Sequence, residues 1–262
     1  MHRHIRYTVL LAVCITLSLS ARAAGQFHEP DAQAMQAFAK VVKSYRERPG
    51  LTVKTKVKIK LEQKEAGSQG DPVHAEFKIG PDRRCMTRFR DFTCHVGEER
   101  IYAIHDRNDG AYYTETHDDS PYYTLMTIFV DLPFPHLAIA LGESKTEDLC
   151  MQLHPKAPWI RPTGTKDIER DSRTFQRITF TSDYSTLHMD VAPDTKLIDR
   201  MTLEVTGGSL VQAGSKMTYQ HTFEYEPRDE PFADRDLSFD PGERQRVDTV
   251  HDLKPKVKPQ ET

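Results

Sequence analysis

Residues Leu51 to Gln63 read LTVKTKVKIKLEQ. Apolar or β-branched residues hold every odd position (Leu51, Val53, Thr55, Val57, Ile59, Leu61), and Lys54, Lys56, Lys58 and Lys60 stand between them. Successive side chains of a strand point to opposite faces, so this pattern predicts a strand greasy on one side and cationic on the other. At about 3.3 Å per residue, roughly eleven such residues span about 36 Å, long for a strand. A strand so one-sided calls for a large antiparallel sheet with something covering its oily face.

The rest of the composition suits that sheet. Of 262 residues, 37% are hydrophobic and 29% charged, enough apolar material for a core and too much for a disordered chain. A formal net charge of -3 gives no reason to expect a nucleic-acid partner. At the start, Arg3 and Arg6 precede a short apolar run from Tyr7 to Leu19, and Ala21-Arg22-Ala23 supplies small residues for cleavage. These are the parts of a secretory signal peptide covering residues 1–23, with the mature chain beginning near Ala24. The run is too short for a permanent membrane helix. Leu11-Ala12-Val13-Cys14 is not expected to be lipidated, because Val13 is too large for that cleavage and the site comes too early.

In chain order, Asp31 to Arg46 predicts a helix with Ala34, Phe38, Val41, Val42 and Tyr45 on one face, closed by Pro49-Gly50. After the long strand and a polar turn (Ala66 to Asp71), Val73 to Ile79 alternates again. Arg84 to Phe89 and Phe92 to Val96 predict a tight hairpin about Arg90-Asp91, and Arg100 to His105 another strand. Asn108-Asp109-Gly110 reads as a hairpin turn into Ala111 to Thr116. Alternation breaks between Ser120 and Gly142, where Tyr122, Leu125, Phe129, Leu132, Phe134, Leu137 and Leu141 crowd around Pro133 and Pro135. Two short helices, one on either side of the prolines, are expected. Strands resume at Phe175 to Thr181, Leu187 to Val191, Leu197 to Val205 and Met217 to Tyr225. From Pro227 onward periodicity is lost, and residues 254–262 are expected to be a disordered tail. The expected fold is therefore α+β, mainly β with a helical lid: one strongly curved antiparallel half-barrel over residues 24–253, with an N-terminal helix and a mid-chain helical insert.

That order resembles the LolA-like periplasmic lipoprotein carriers, and more closely an uncharacterised family of bacterial periplasmic proteins related to them. The local matches are the helix ending in Tyr45, the Gly97-Glu98-x-x-Ile101-Tyr102 hairpin, and Phe239-Asp240-Pro241-Gly242 followed by Val247-Asp248. Val96 departs from the pattern, since the relatives usually carry Asp before that glycine. The resemblance implies a periplasmic protein with helices lidding a concave sheet and acyl chains held between the two. Some relatives continue into a thioredoxin-like domain, and no redox activity is carried over from them.

The candidate sites follow from this layout. Val53, Val57, Ile59, Phe77, Ile79, Leu125, Phe129, Leu132 and Phe134 would line an apolar ligand site, a lipid or acyl chain being the partner; a packed core is the other reading of the same residues. The lysine row could meet an anionic headgroup or membrane surface, or an envelope protein in passing, and otherwise serves solubility and guards against edge aggregation. Same-face lysines about 7 Å apart repel by only about 0.6 kcal/mol in water. Outside the signal, Cys85, Cys94 and Cys150 leave an odd count for an oxidising compartment. Cys85 and Cys94 share a hairpin face as diagonal neighbours, and a small register shift would let them form a disulfide, leaving Cys150 as a buried thiol. His117 with Asp118 and Asp119, and His188 with Asp190, lack the spacing of a metal site, so no metal or cofactor is expected. Nucleophile elbows, phosphate loops and zinc-protease helices are absent from the sequence, so a non-catalytic, monomeric binding protein is expected. The rival reading is an interaction module with a filled core, serving an envelope redox or assembly system.

Overall fold

The computed structural model describes residues 29–63, 67–81, 83–117, 121–128, 134–142, 145–150, 153, 160–207, 211 and 214–255. The signal-peptide reading and the tail beyond residue 255 lie outside these residues.

Helix α1, Ala32–Arg46, starts where the Asp31 carboxylate accepts a hydrogen bond from the Ala34 amide at 2.7 Å. That bond satisfies one of the donors a helix start leaves over. The expected apolar face, Ala34 to Tyr45, is buried. Strand β1, Gly50–Glu62, follows and is as long and one-sided as its alternation requires: Leu51, Val53, Thr55 and Val57 are buried while Lys54, Lys58 and Lys60 are exposed. It pairs antiparallel with β12, Lys216–Arg228, from Gly50 opposite Arg228 to Glu62 opposite Lys216. On its other edge it pairs with β3, Val73–Ile79, and with the short β2, Gly67–Gln69.

The remaining strands extend the sheet outward from β1. One wing holds β4 (Cys85–Phe89), β5 (Phe92–Val96), β6 (Arg100–His105) and β7 (Asn108–Thr116). The other holds β11 (Ile198–Val205), β10 (Ser185–Val191), β9 (Arg173–Thr181) and β8 (Arg161–Arg170). Two residues, Gln245–Arg246, add β13 parallel to β7, so the order is β13-β7-β6-β5-β4-β3-β1-β12-β11-β10-β9-β8. The result is one large, curved, open sheet, antiparallel throughout except at that last short pair.

The mid-chain insert supplies α2 (Pro121–Ile128), α3 (Pro135–Leu141) and a further short helix α4 (Thr146–Cys150). With α1 they cover one face of the sheet. Phe38 of α1 meets Phe180 of β9 edge to face at 5.2 Å, and Arg46 donates to the Ile139 carbonyl of α3 at 3.1 Å. The opposite face is partly covered by the C-terminal segment. There Leu237 of α5 (Asp234–Leu237) packs with Met86 and Phe232, and Phe239 stacks on Tyr102 at 4.9 Å. Gly80 permits this wrap, since a Cβ there would lie 2.4 Å from the Leu237 side chain.

Three expectations are corrected. Asn108-Asp109-Gly110 is not the hairpin turn: the turn is Asp106-Arg107, with His105 opposite Asn108. Thr93 donates to the Asp106 carboxylate at 2.9 Å, and the Asn108 amide donates to the Leu253 carbonyl at 3.0 Å, so Asn108 ties down the last 3-10 turn, Val250–Leu253, instead. The Cys85–Cys94 bridge does not form: all three described cysteines are free and buried. Cys85 stands opposite Val96 and Cys94 opposite Thr87, and no register shift brings the sulfurs together. Finally, the alternating stretches leave out two strands: β8, at one edge of the sheet, and β2, Gly67–Gln69, which pairs with β1 inside the expected polar turn of Ala66 to Asp71.

Helix α1 is pinned to the sheet by a buried polar chain. The Tyr45 and Tyr225 hydroxyls are 2.6 Å apart, and Tyr225 donates to the Ile198 carbonyl at 2.6 Å. Replacing Tyr225 by Phe leaves that carbonyl and Tyr45 short of a partner in a dry site. Tyr225→Phe should therefore lower unfolding free energy by about 1–3 kcal/mol in urea titration; an unchanged midpoint would show the chain does not anchor the helix.

Candidate functional site

The alternation that shapes β1 delivers every described residue of the expected apolar site to one layer. Val53, Val57, Phe77, Ile79, Leu125 and Phe134 are buried in a single hydrophobic cluster, and Ile59 packs half-buried at its margin. Phe129 and Leu132 lie outside the described residues. Val53 faces Phe77 across β1 and β3, and Phe134, just ahead of α3, brings its ring to 4.8 Å from Phe77 and 5.5 Å from Phe89. Among the described residues the space between sheet and helices is thus occupied by the helices' own side chains.

Polar groups sit inside this layer. His136 of α3 is fully buried, its ring 4.5 Å from Phe77 and 5.3 Å from Phe223. Those two rings flank β1 at Val53 and Thr55, which places the imidazole over that stretch of the central strand. Among the described residues neither ring nitrogen of His136 has a hydrogen-bond partner, and the hydroxyl of Thr55, itself 3% exposed, lacks one too. His221 is also fully buried, opposite Val57. An unpartnered polar group in such surroundings costs about 1–3 kcal/mol, so His136 is a stored expense rather than a stabilising feature. Burial pushes both imidazoles down to about 3, with His221 lowering His136 further. They are neutral at ordinary pH, each able to donate one hydrogen bond and accept one. His221 stands in the inward alternation Met217, Tyr219, His221, Phe223, Tyr225, which marked it as interior; nothing in the PHLAIAL run singled out His136.

The opposite face is different in kind. A cleft of about 840 Å³ opens there, floored by β3, β1, β12 and β11 and walled by the β8–β9 hairpin. Pairing sets its residues in rows across the strands. One row reads Arg88, Glu76, Lys54, Glu224 and neutralises itself, with Lys54 also held by Glu226 at 2.7 Å. The next reads His74, Lys56, Thr222, Arg200, Asp190, Arg177. Asp190, 1% exposed, is its only carboxylate, and both its oxygens are taken by Arg177 and Arg170 at 2.7–3.0 Å. Arg170 also bonds Asp199 and lies 4.3 Å above the Phe175 ring.

The remaining candidates are structural. His117 is buried and donates to the Gly97 carbonyl at 3.0 Å, closing the loop after β7; Asp118 and Asp119 lie outside the described residues. His188 bonds Thr179 at 3.2 Å, and Asp190 belongs to the arginine network. No group of three or more metal-ligating side chains occurs among the described residues. Burial pushes the Cys85 and Cys94 thiols well up, away from the reactive thiolate. No helix among the described residues is long and apolar enough to cross a membrane.

No protein-family model and no curated protein matches the chain. Solved structures with a similar layout include a LolA superfamily protein from Nitrosomonas europaea, 8% identical, with TM-score 0.32 over 78% of this chain and 97% of that one. A DUF1329 family protein from Desulfovibrio piger is 9% identical, with TM-score 0.31 over 80% of this chain and 98% of that one. MucB is 11% identical, with TM-score 0.34 over 80% of this chain and 64% of that one. Likeness at this level speaks to neither ligand nor activity.

Proposed function

We propose that the protein is an exported, non-catalytic binding protein of the bacterial periplasm that holds a lipid or acyl chain between the sheet and its helical insert. Export rests on the signal-peptide pattern of residues 1–23. The observation that carries the ligand is His136: a wholly buried imidazole with both nitrogens unpartnered, in a layer otherwise built of hydrocarbon and aromatic rings. An amphiphile entering that layer brings methylenes for its walls and a carbonyl or hydroxyl oxygen for the imidazole N–H.

Because the described interior is filled, uptake is an exchange. The insert moves, and the ligand takes over contacts now made by Phe134, Leu137 and Leu141 of the α3 region. Exposing three such side chains costs about 5–9 kcal/mol, while a chain of about fourteen methylenes gains about 11 kcal/mol. The balance favours binding by a few kcal/mol and keeps release feasible, which suits a carrier that meets a membrane or envelope protein only transiently. The same filling supports the rival reading, an interaction module with a permanent core, and the two differ in whether acyl chains bind.

Organic extraction of the purified protein followed by mass spectrometry, together with uptake of a labelled fatty acid, separates them. The carrier reading expects a co-purifying lipid or saturable uptake, and about fivefold weaker uptake in His136→Leu for the lost hydrogen bond. An empty extract with no uptake would leave only the module.

The imidazoles also set a pH dependence. Unfolded histidine titrates near 6.5, so between about 6.5 and about 3 the unfolded chain binds protons that the folded chain refuses. Stability is therefore full above that window and lost as pH falls through it, by about 2 kcal/mol per imidazole at pH ~5. Urea midpoints at pH ~7 and ~5 should differ less in His136→Leu than in the parent; equal differences would place the proton-linked loss elsewhere.

A further inference from the structure

We propose that the lysine-bearing face of the sheet is a second binding site, one that takes a phosphate-bearing ligand in the cleft beside the β8–β9 hairpin. It lies on the face opposite the helices and stands independently of the carrier reading.

The cleft gathers seven Lys and Arg side chains against four carboxylates, in a chain whose formal net charge is -3. Its charge balance thus opposes that of the molecule. Internal ion pairs consume some of these cations: Lys54 by Glu226, and Arg170 by Asp190 and Asp199. In the row that runs from His74 to Arg177, Lys56 and Arg200 have no carboxylate partner among the described residues.

Arg200 is the more telling of the two. It stands directly opposite Asp190, the natural partner, yet both Asp190 oxygens are turned to Arg177 and Arg170. Its Nε is buried without an acceptor. Its neighbours in the row are the exposed Thr222 hydroxyl and then Lys56, with His74 beyond. At about 4.8 Å per strand, Arg200 to Lys56 spans about 10 Å, within the reach of both side chains toward a common point. A guanidinium fork, a hydroxyl and an ammonium set side by side in one row, neither cation holding a carboxylate among the described residues, match a tetrahedral, multiply charged oxyanion better than a single carboxylate, which one arginine would satisfy. The hairpin wall closes in a tight turn: Asp171 and Ser172 both have positive φ, as a two-residue turn requires, and the guanidinium groups of Arg170 and Arg173 both lie over the Phe175 ring. At about 840 Å³ the cleft holds a group larger than phosphate alone.

Calorimetric titration with glycerol phosphate, and co-sedimentation with phosphatidylglycerol vesicles against phosphatidylcholine vesicles, test the site and separate a soluble phosphate from a lipid headgroup. Arg200→Gln and Lys56→Gln are compared with Lys58→Gln, which removes the same charge from the same strand face outside the cleft. Lys56 is partly exposed, so its substitution does not threaten the fold. The expected result is saturable binding of one probe that weakens about tenfold in Arg200→Gln and in Lys56→Gln and less than about twofold in Lys58→Gln. Binding of glycerol phosphate would identify a soluble ligand; binding only of the anionic vesicles would identify a headgroup. No binding of either probe, or equal weakening in all three variants, would overturn the site and reduce the face to a solubilising one. Acyl uptake beneath the helices is unaffected by any of these outcomes.

Discussion

Strand β1 is hydrogen-bonded along both edges, to β12 over its whole length and to β3 from Leu51 to Val57, so its side chains can leave only upward or downward from the sheet. Sorting Leu51, Val53, Thr55 and Val57 to one side and the four lysines to the other then decides everything else. The apolar side must be covered, and α1 with the mid-chain helices covers it. The cationic side must stay in water or find an anion, and the C-terminal segment accordingly wraps the outer face near β4 to β7 while leaving the lysines open. A one-residue slip of β1 would exchange the two faces and put four ammonium groups in the core, which is why its register is so strongly specified.

The two faces hold their unsatisfied groups in different forms. Beneath the helices it is a buried imidazole with no hydrogen-bond partner among the described residues, in a layer where any partner must arrive with hydrocarbon attached. On the open face it is a row of cations whose single carboxylate is already spent on two arginines. An amphiphile with a phosphate head and an acyl tail carries both chemistries, but the faces are separated by the sheet itself. One molecule does not serve both at once.

Much of this was legible because the deciding residues act locally. The helix start at Asp31, the alternation of β1, the Arg90-Asp91 turn and the helix that begins at Pro135 each depend on near neighbours, and each is legible in the chain with little error. What escaped depends on distant partners. β8 is an edge strand, paired among the described residues only with β9 and mostly half-exposed, so it lacks an apolar stripe to betray it. Asn108 looked like a turn residue, but its side chain serves Leu253, 145 positions away. Cys85 and Cys94 invited a bridge on compartment grounds, and a hairpin register that was itself read correctly holds them on a diagonal. His136 gave no signal, since a histidine's burial and lack of partners exist only once the layer has closed. The arginine row on the open face was equally hidden, because it is assembled across six strands and is contiguous nowhere in the sequence.

The account turns on the helices being a cover that can lift from the sheet rather than a fixed half of the core. Residue-resolved amide hydrogen exchange, with and without a fatty acid present, reads this directly by comparing β1 with α3. The account predicts that β1 amides exchange only through global unfolding, that α3 amides exchange through a smaller opening, and that the fatty acid slows α3 selectively. Exchange of α3 at the same free energy as β1, unchanged by the fatty acid, would contradict it.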